Sequence, residues 1–294
     1  MAANATTERP PASPKPWTPA RGYALLLIAP ATVLALFFLW PLAQVVIRSV
    51  MEPAVGFENY VRIFATSTYV RVIAYTMMLA GTVALVTLLL AYPVAWMVSA
   101  MHGSILYLCL ALILIPFWTS VVIRTFAWMV LFQRRGVLNS FLLSSGLIDQ
   151  PLRLMHNSIG VHIGMVHILL PFMILPLLSS MRGIEPTIMR AASVLGANPL
   201  RQFIHVYVPL TMPGVSAGLL LVFISALGFF VTPALLGGPA NMTIAVLIEQ
   251  QTSRLLDWPM ASALATLLLA ATVLLYVLYD RISRHLGAAG VFGG

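Results

Sequence analysis

Lysine is almost missing from this sequence: Lys15 is the only one, in the segment PPASPKPW. A phosphate-cradling loop needs a Gly-rich turn followed by Lys and Ser/Thr, and no such lysine stands here. If the chain moves anything with ATP, another chain must hydrolyse it. Charge of either sign is also scarce: 8% of residues are charged, against about 25% in a soluble domain. The net charge is +8, but the cations are scattered. A nucleic-acid binder would gather them on one face or stripe. The single cysteine, Cys109, sits in the apolar run ILYLCLALILIP, cannot form an intrachain disulfide, and reads as a small apolar filler. Metal-ligand clusters are missing too. His162 and His167 are five apart, so they do not form an i,i+4 pair, and no acid or cysteine accompanies them.

What is there is hydrocarbon. Of 294 residues 60% are hydrophobic, and the mean hydropathy is +0.96. A membrane-spanning helix needs about 20 mainly apolar residues. Six stretches qualify, at roughly 23–47, 72–98, 105–132, 159–181, 211–236 and 260–281. The chain therefore reads as an all-α, polytopic membrane protein. Residues 1–22 are rich in Pro, Ala and Thr and read as a disordered tail; residues 285–294 form a second tail. The first apolar run is too long for a signal-peptide core of about 7–15 residues, and no convincing small-x-small cleavage site follows it. The linkers are too short for a soluble catalytic domain. Pro30, Pro41, Pro93, Pro116, Pro171, Pro176 and Pro233 fall within spans, which membrane helices tolerate because neighbours satisfy the freed carbonyls. Lys and Arg are nearly balanced between the two sides. Acids are rarer on the side of the N-terminus, which leans toward a cytoplasmic N-terminus.

One linker is distinctive: GIEPTIMRAASVLGANPLRQFIHVYVPLTMPG, from Gly183 to Gly214. Pro186 suits the first turn of a helix, where its missing N–H costs nothing. Gly196 suits a left-handed C-terminal cap. Asn198 before Pro199 reads as an N-cap followed by a first-turn proline. Pro209 and Pro213 mark the approach to the next span. The expected element is a short helix–turn–helix whose Ala191, Ala192 and Ser193 offer a small-residue surface. On these grounds a connector and a docking knob both stand open.

This segment resembles the EAA loop of ABC-importer permeases: E-A-A, three residues, Gly, nine residues, then I-x-L-P. Ala191, Ala192, Gly196, Val206, Val208 and Pro209 fall in register. Arg190 stands where that pattern has Glu, which reverses the charge offered there. The resemblance implies a type I ABC importer permease fold, with the loop (183–209) docking on an ATP-hydrolysing subunit through Pro186, Arg190, Ala191, Ala192, Leu195, Gly196, Ala197, Asn198, Pro199 and Pro209. PFWTSVVIRTFAWMVLF (116–132), GVLN (136–139), HILLPFMILPLLSSM (167–181), VPLTMPG (208–214) and DWPMASA (257–263) look like the spermidine/putrescine class, B-type subunit. The implied partners are two ATPase copies, a homologous second permease, a periplasmic solute-binding protein and inner-membrane lipid. The implied solute is a polyamine or a related small cationic or nitrogenous compound. No cofactor is expected on this chain, ATP being used by the partner. Sulfate, iron and phosphonate importers have related permeases.

Six residues are candidates for a translocation path. Arg124 is the one charge well inside an expected span, Asp280 and Arg281 standing at the end of the last; such a residue is functional by default, or braces the bundle by pairing with an acid. Glu249 and Asp257, in IEQQTSRLLDWP, are placed for an outer mouth that would welcome an ammonium group. Against this, Glu249 has Arg254 nearby and Asp257 stands where it would cap the helix starting at Trp258. Trp118, Phe229 and Phe230 offer aromatic faces for cation–π contact; most such rings simply pack. GFFVTPALLGGP (228–239) has Gly and Pro at a span end, as a gate or an ordinary loop would. Two rival classes are weaker. An intramembrane enzyme needs a polar catalytic set, and a secondary transporter needs ion-coupling groups inside the spans; the spans are poor in both.

Overall fold

The computed structural model describes residues 30–53 and 55–286. The expected N-terminal tail, the first residues of the first span and most of the C-terminal tail lie outside them. The chain divides into two units, Met1–Val45 and Val46–Gly294.

The described chain is helical, with no strand among the described residues. Helix α1 runs Pro30–Met51 and contains a π-helical turn at Ala35–Leu39. There follow α2 (Glu58–Ala65), α3 (Ser67–Ser99), α4 (Gly103–Trp118), α5 (Val121–Phe132), α6 (Val137–Ser144) and α7 (Ser158–Arg182). Then come α8 (Pro186–Val194), α9 (Pro199–Leu227), α10 (Val231–Leu236), α11 (Ile244–Ser253) and α12 (Trp258–Leu286). Five of these are long and apolar enough to cross a membrane: α1, α3, α7, α9 and α12.

The expected third span, 105–132, is not one helix. It breaks at Thr119–Ser120, and α4 meets the stretch Val121–Ser144 at 94°. Pro116 has no N–H to give the carbonyl one turn back. The Thr119 N–H and hydroxyl both turn back to the Pro116 carbonyl, at 3.3 and 3.0 Å, and Thr119 itself is extended. The expected fifth span is also divided: α9 ends at Leu227, and Phe229 and Phe230 lie in the break before α10. At its other end α9 begins twelve residues before the expected start of 211, at Pro199. Pro209 and Pro213 therefore stand inside a helix. A π-helical turn at Phe203–Tyr207, closed by the Val208 N–H on the Phe203 carbonyl, lies just ahead of Pro209.

The core forms around α7. Its Val161, Met165, Leu169, Met173, Ile174 and Leu177 are buried against α3 and α9. Lipid tails are as apolar as leucine, so helices in a membrane associate by close packing and not by escape from water. The sequence supplies the small residues that this requires. Thr76, Ala80, Ala84, Thr87, Ala91 and Ala95 form a buried stripe along α3, and the buried hydroxyls of Thr76 and Thr87 return to their own helix at Val72 and Val83. On α9, Gly214 and Gly218 are four apart. A Cβ at Gly214 would lie 2.6 Å from Ser180 Cβ and 2.7 Å from the Pro176 carbonyl; one at Gly218 would lie 2.6 Å from Met173 Sδ.

The contacts define two ends. At one, Ile63 of α2, Val72 of α3, Leu247 of α11 and Met260 of α12 share a small core. At the other, Val98 of α3, Leu106 of α4 and Leu178 of α7 share another, and the Arg182 guanidinium donates to the Met101 carbonyl. The α8 hairpin follows directly from this second end.

Candidate functional site

The hairpin is built by local chemistry. Pro186 opens α8, and Glu185 precedes it in extended conformation. Gly196 has φ +83°, the left-handed region where a side chain is strained. The Gly196 N–H bonds the Ser193 carbonyl at 3.0 Å and the Ala197 N–H bonds Ala192 at 3.1 Å, the paired closure of a Schellman cap. The Asn198 side chain then accepts from the Arg201 N–H at 2.8 Å, with Pro199 in the first turn of α9. The Gln202 amide locks the two helices together, donating to Ser193 Oγ at 2.9 Å and the Ala197 carbonyl at 2.7 Å.

The hairpin's tip is apolar and uncovered. Val194 and Leu195 are 88% and 86% exposed, and Leu200 and Ile188 are exposed beside them. Arg190 and Arg201 flank them, also exposed. Ala191 is exposed and Ala192 partly covered, so the small-residue surface expected from Ala191 to Ser193 adjoins a larger aliphatic one. Val194 and Leu200 were not among the expected docking residues.

An aromatic clamp joins the hairpin to the bundle. Phe203 meets Trp96 edge-on at 5.6 Å and Tyr92 at 6.4 Å, and stacks on Tyr207 at 5.7 Å. The Tyr92 hydroxyl hydrogen-bonds that of Thr211 at 3.0 Å. The signal for this clamp was present in the sequence. Tyr92 and Trp96 are four apart, as are Phe203 and Tyr207, a spacing that puts each pair on one helix face.

Among the six path candidates, Arg124 and Phe229 come together. They line a cavity of about 370 Å³ at the α4–α5 break with Phe117, Thr119, Phe172 and Ser225. Ile168, Leu169 and Phe172 place it halfway along α7. Arg124 Nε is buried there and has no hydrogen-bond partner. Insertion scales put the cost of an arginine at the centre of a membrane helix at about 2.5–3.5 kcal/mol, and no hydrogen bond to Nε within this chain offsets a cost of that kind. Trp118 ends α4 beside the break and is 90% exposed. Phe230 lies at the α9–α10 break.

The two acids lie elsewhere, at the end opposite the hairpin. Asp257 is engaged twice: Oδ1 accepts the Met260 N–H at 3.1 Å, capping α12, and Oδ2 lies 3.2 Å from Arg62. Glu249 forms no ion pair with Arg254. Both border a cavity of about 440 Å³ with His156, Gly237, Gly238 and Gln250.

The stretches that carry the resemblance have structural work in this fold. In GVLN, a Cβ at Gly136 would lie 2.6 Å from the Val130 carbonyl. Buried Asn139 donates to the Gln133 and Leu152 carbonyls and accepts the Leu152 N–H, which holds the loop after α5. VPLTMPG contributes Thr211 to the clamp and Gly214 to the close crossing with α7. DWPMASA contributes the α12 cap.

A polytopic bundle with an exposed, clamped hairpin at one end, and with cavities holding charged side chains halfway along α7 and at the far end, is the build of a membrane transport subunit. The sequence pattern of the family described as binding-protein-dependent transport system inner membrane component matches residues 103–288. The chain is 38% identical over 229 residues to the spermidine/putrescine transport system permease protein PotB of Escherichia coli (strain K12), covering 78% of this chain and 83% of that one. It is 34% identical over 267 residues to PotB of Haemophilus influenzae, covering 86% and 93%. Among solved structures, a chain of the bacterial alginate ABC transporter, in complex with alginate pentasaccharide-bound periplasmic protein, superposes with a TM-score of 0.75. That match is at 19% identity, over 90% of this chain and 94% of that one, and shows the fold. The chain belongs to the family of inner membrane components of binding-protein-dependent transport systems.

Proposed function

We propose that this chain is a permease subunit of an ATP-driven importer of polyamines, spermidine or putrescine. The solute follows from similarity to the PotB proteins, whose names carry it. The mode of action rests on one structural observation: the exposed apolar tip Val194–Leu195–Leu200 stands on a hairpin continuous with α9. The chain has no phosphate-binding lysine, so the ATPase is a separate subunit, present in two copies, one of them seated on this tip. A homologous second permease and a periplasmic solute-binding protein complete the transporter. The N-terminus and the hairpin lie on the cytoplasmic side.

Helix α9 provides the coupling. Over 29 residues it spans about 43 Å at 1.5 Å per residue. It starts at the docking hairpin, passes the aromatic clamp and reaches the mid-depth cavity at Ser225. Movement imposed on the tip is thereby delivered to the cavity without an intervening loop. ATP drives transport only if it favours one facing state over the other, so the ATPase must bind the two hairpin positions with different affinity. Of the two candidate acids, Asp257 is committed to Arg62 and to its cap, which favours Glu249 as the one to receive an ammonium group on entry.

The test is reconstitution with the ATPase and second permease. Uptake of labelled spermidine that requires ATP supports the proposal. Uptake driven by an ion gradient without ATP would replace it with a secondary transporter. Deleting residues 186–199 should abolish association with the ATPase while the bundle stays intact; equal association would show that the hairpin is a connector.

A further inference from the structure

We infer that the cavity at the α4–α5 break is completed by a carboxylate from the second membrane subunit. The inference rests on the importer reading, which supplies that subunit. Arg124 Nε is buried and unpartnered within this chain. The cavity's other lining residues are apolar or hydroxylic, with no acid among them. The guanidinium presents its donors as a planar fork that matches a carboxylate. About 370 Å³ of open space beside it admits a side chain.

The surface around the cavity fits a protein helix better than lipid. Phe117 and Trp118 at the end of α4, and Val122, Ile123 and Phe126 of α5, are exposed, so apolar side chains stand uncovered on the two helices that meet at the cavity. An acyl chain covers those side chains and leaves the arginine unsatisfied; a transmembrane helix carrying Asp or Glu serves both. The transported solute does not supply the anion, because a polyamine is itself a cation and is repelled by Arg124. Arg124 is thus an assembly residue, and its positive charge, once neutralised by the partner, no longer opposes a cation passing nearby.

The experiment is a charge swap in the assembled transporter. The chain is co-expressed with the second permease and recovered through a tag on that partner. Arg124→Glu is expected to lower recovery by roughly tenfold or more, since it sets like charges together, while Arg124→Lys keeps most of it. Replacing one membrane-embedded Asp or Glu of the partner with Arg is expected to restore recovery of the Arg124→Glu chain. A chain that merely fails to fold is not rescued by a change in another subunit. The inference is overturned if Arg124→Glu assembles like wild type, or if no partner acid restores it. It is also overturned if Arg124→Glu assembles fully yet loses uptake, which would put the anion on the solute. Swap rescue in a complex that does not transport spermidine would leave this inference standing and remove the polyamine reading. Failure of the wild-type chain to co-purify with the partner would remove both.

Discussion

Gly196 tests the hairpin as a coupling element, because its cost can be separated from the stability of the bundle. Its φ of +83° is closed to most L-residues, yet a Cβ placed there meets nothing within 4 Å. Substitution therefore costs backbone strain alone. Alanine should cost about 1–2 kcal/mol, which is roughly a 5- to 30-fold loss of the capped hairpin relative to its alternatives. Asparagine tolerates the left-handed region and should cost less. Valine, β-branched, should cost more. The expected order of ATPase association and of ATP-driven uptake is therefore wild type, Asn, Ala, Val. Thermal unfolding of the detergent-solubilised chain should be unchanged across the series, since Gly196 lies outside every buried cluster. Gln202→Ala, which removes the clasp to Ser193 and Ala197, should act in the same direction. Normal uptake by a folded, assembled Gly196→Val would refute the reasoning, as would losses that ignore the order Asn, Ala, Val.

Three further predictions concern the bundle and its far end. Gly214→Ala should destabilise the chain by about 1–3 kcal/mol, as overpacking does, because two of the atoms its Cβ would strike are α7 backbone. Gly81→Ala, whose Cβ would lie 3.8 Å from the nearest ring atom of Phe223, should be neutral in the same melting assay. Thr76→Val should cost about 1–3 kcal/mol, since buried Thr76 Oγ1 is the acceptor for the Ile244 N–H at 2.9 Å; a melting temperature equal to wild type would contradict this. At the far end, Asp257→Ala should cost about 0.5–2 kcal/mol through its cap. Arg62→Ala should cost no more than about 1 kcal/mol, as its side chain is 58% exposed. Equal losses would show that the ion pair and not the cap matters there.

The docking hairpin was legible because each of its parts is a local rule. Pro186, Gly196, Asn198 and Pro199 each satisfy or avoid a particular backbone group, and no distant contact is needed to interpret them. Spans were legible for a similar reason. The seventh helix, expected at 159–181, is Ser158–Arg182, since hydropathy changes sharply at both ends. The exposure of Val194 and Leu195 was not legible, because aliphatic residues beside a small-residue stripe read equally well as packed. Their uncovering depends on α8 lying clear of the bundle, which is a tertiary fact.

The α4–α5 break shows why the remainder was hidden. Hydropathy measures how apolar a stretch is, and Trp118, Val121 and Val122 are as apolar around a bend as along a straight helix. Pro116 marked a weak point, but Pro171, Pro176 and Pro93 sit in helices that continue, so a proline alone does not tell a break from a kink. The 94° turn is held by contacts far away in sequence. Thr125 shares a hydroxyl contact with Thr232 of α10 at 3.2 Å, and Trp128 Nε1 donates to His167 Nδ1 of α7 at 3.3 Å. Those contacts fix α5 across the bundle, and where α4 turns into it the chain leaves the space that Arg124 enters. The charge and the break are thus one feature. A straight span would set Arg124 on a helix face against lipid or tight packing; the bend gives it a cavity at mid-depth, where a partner's carboxylate can reach it.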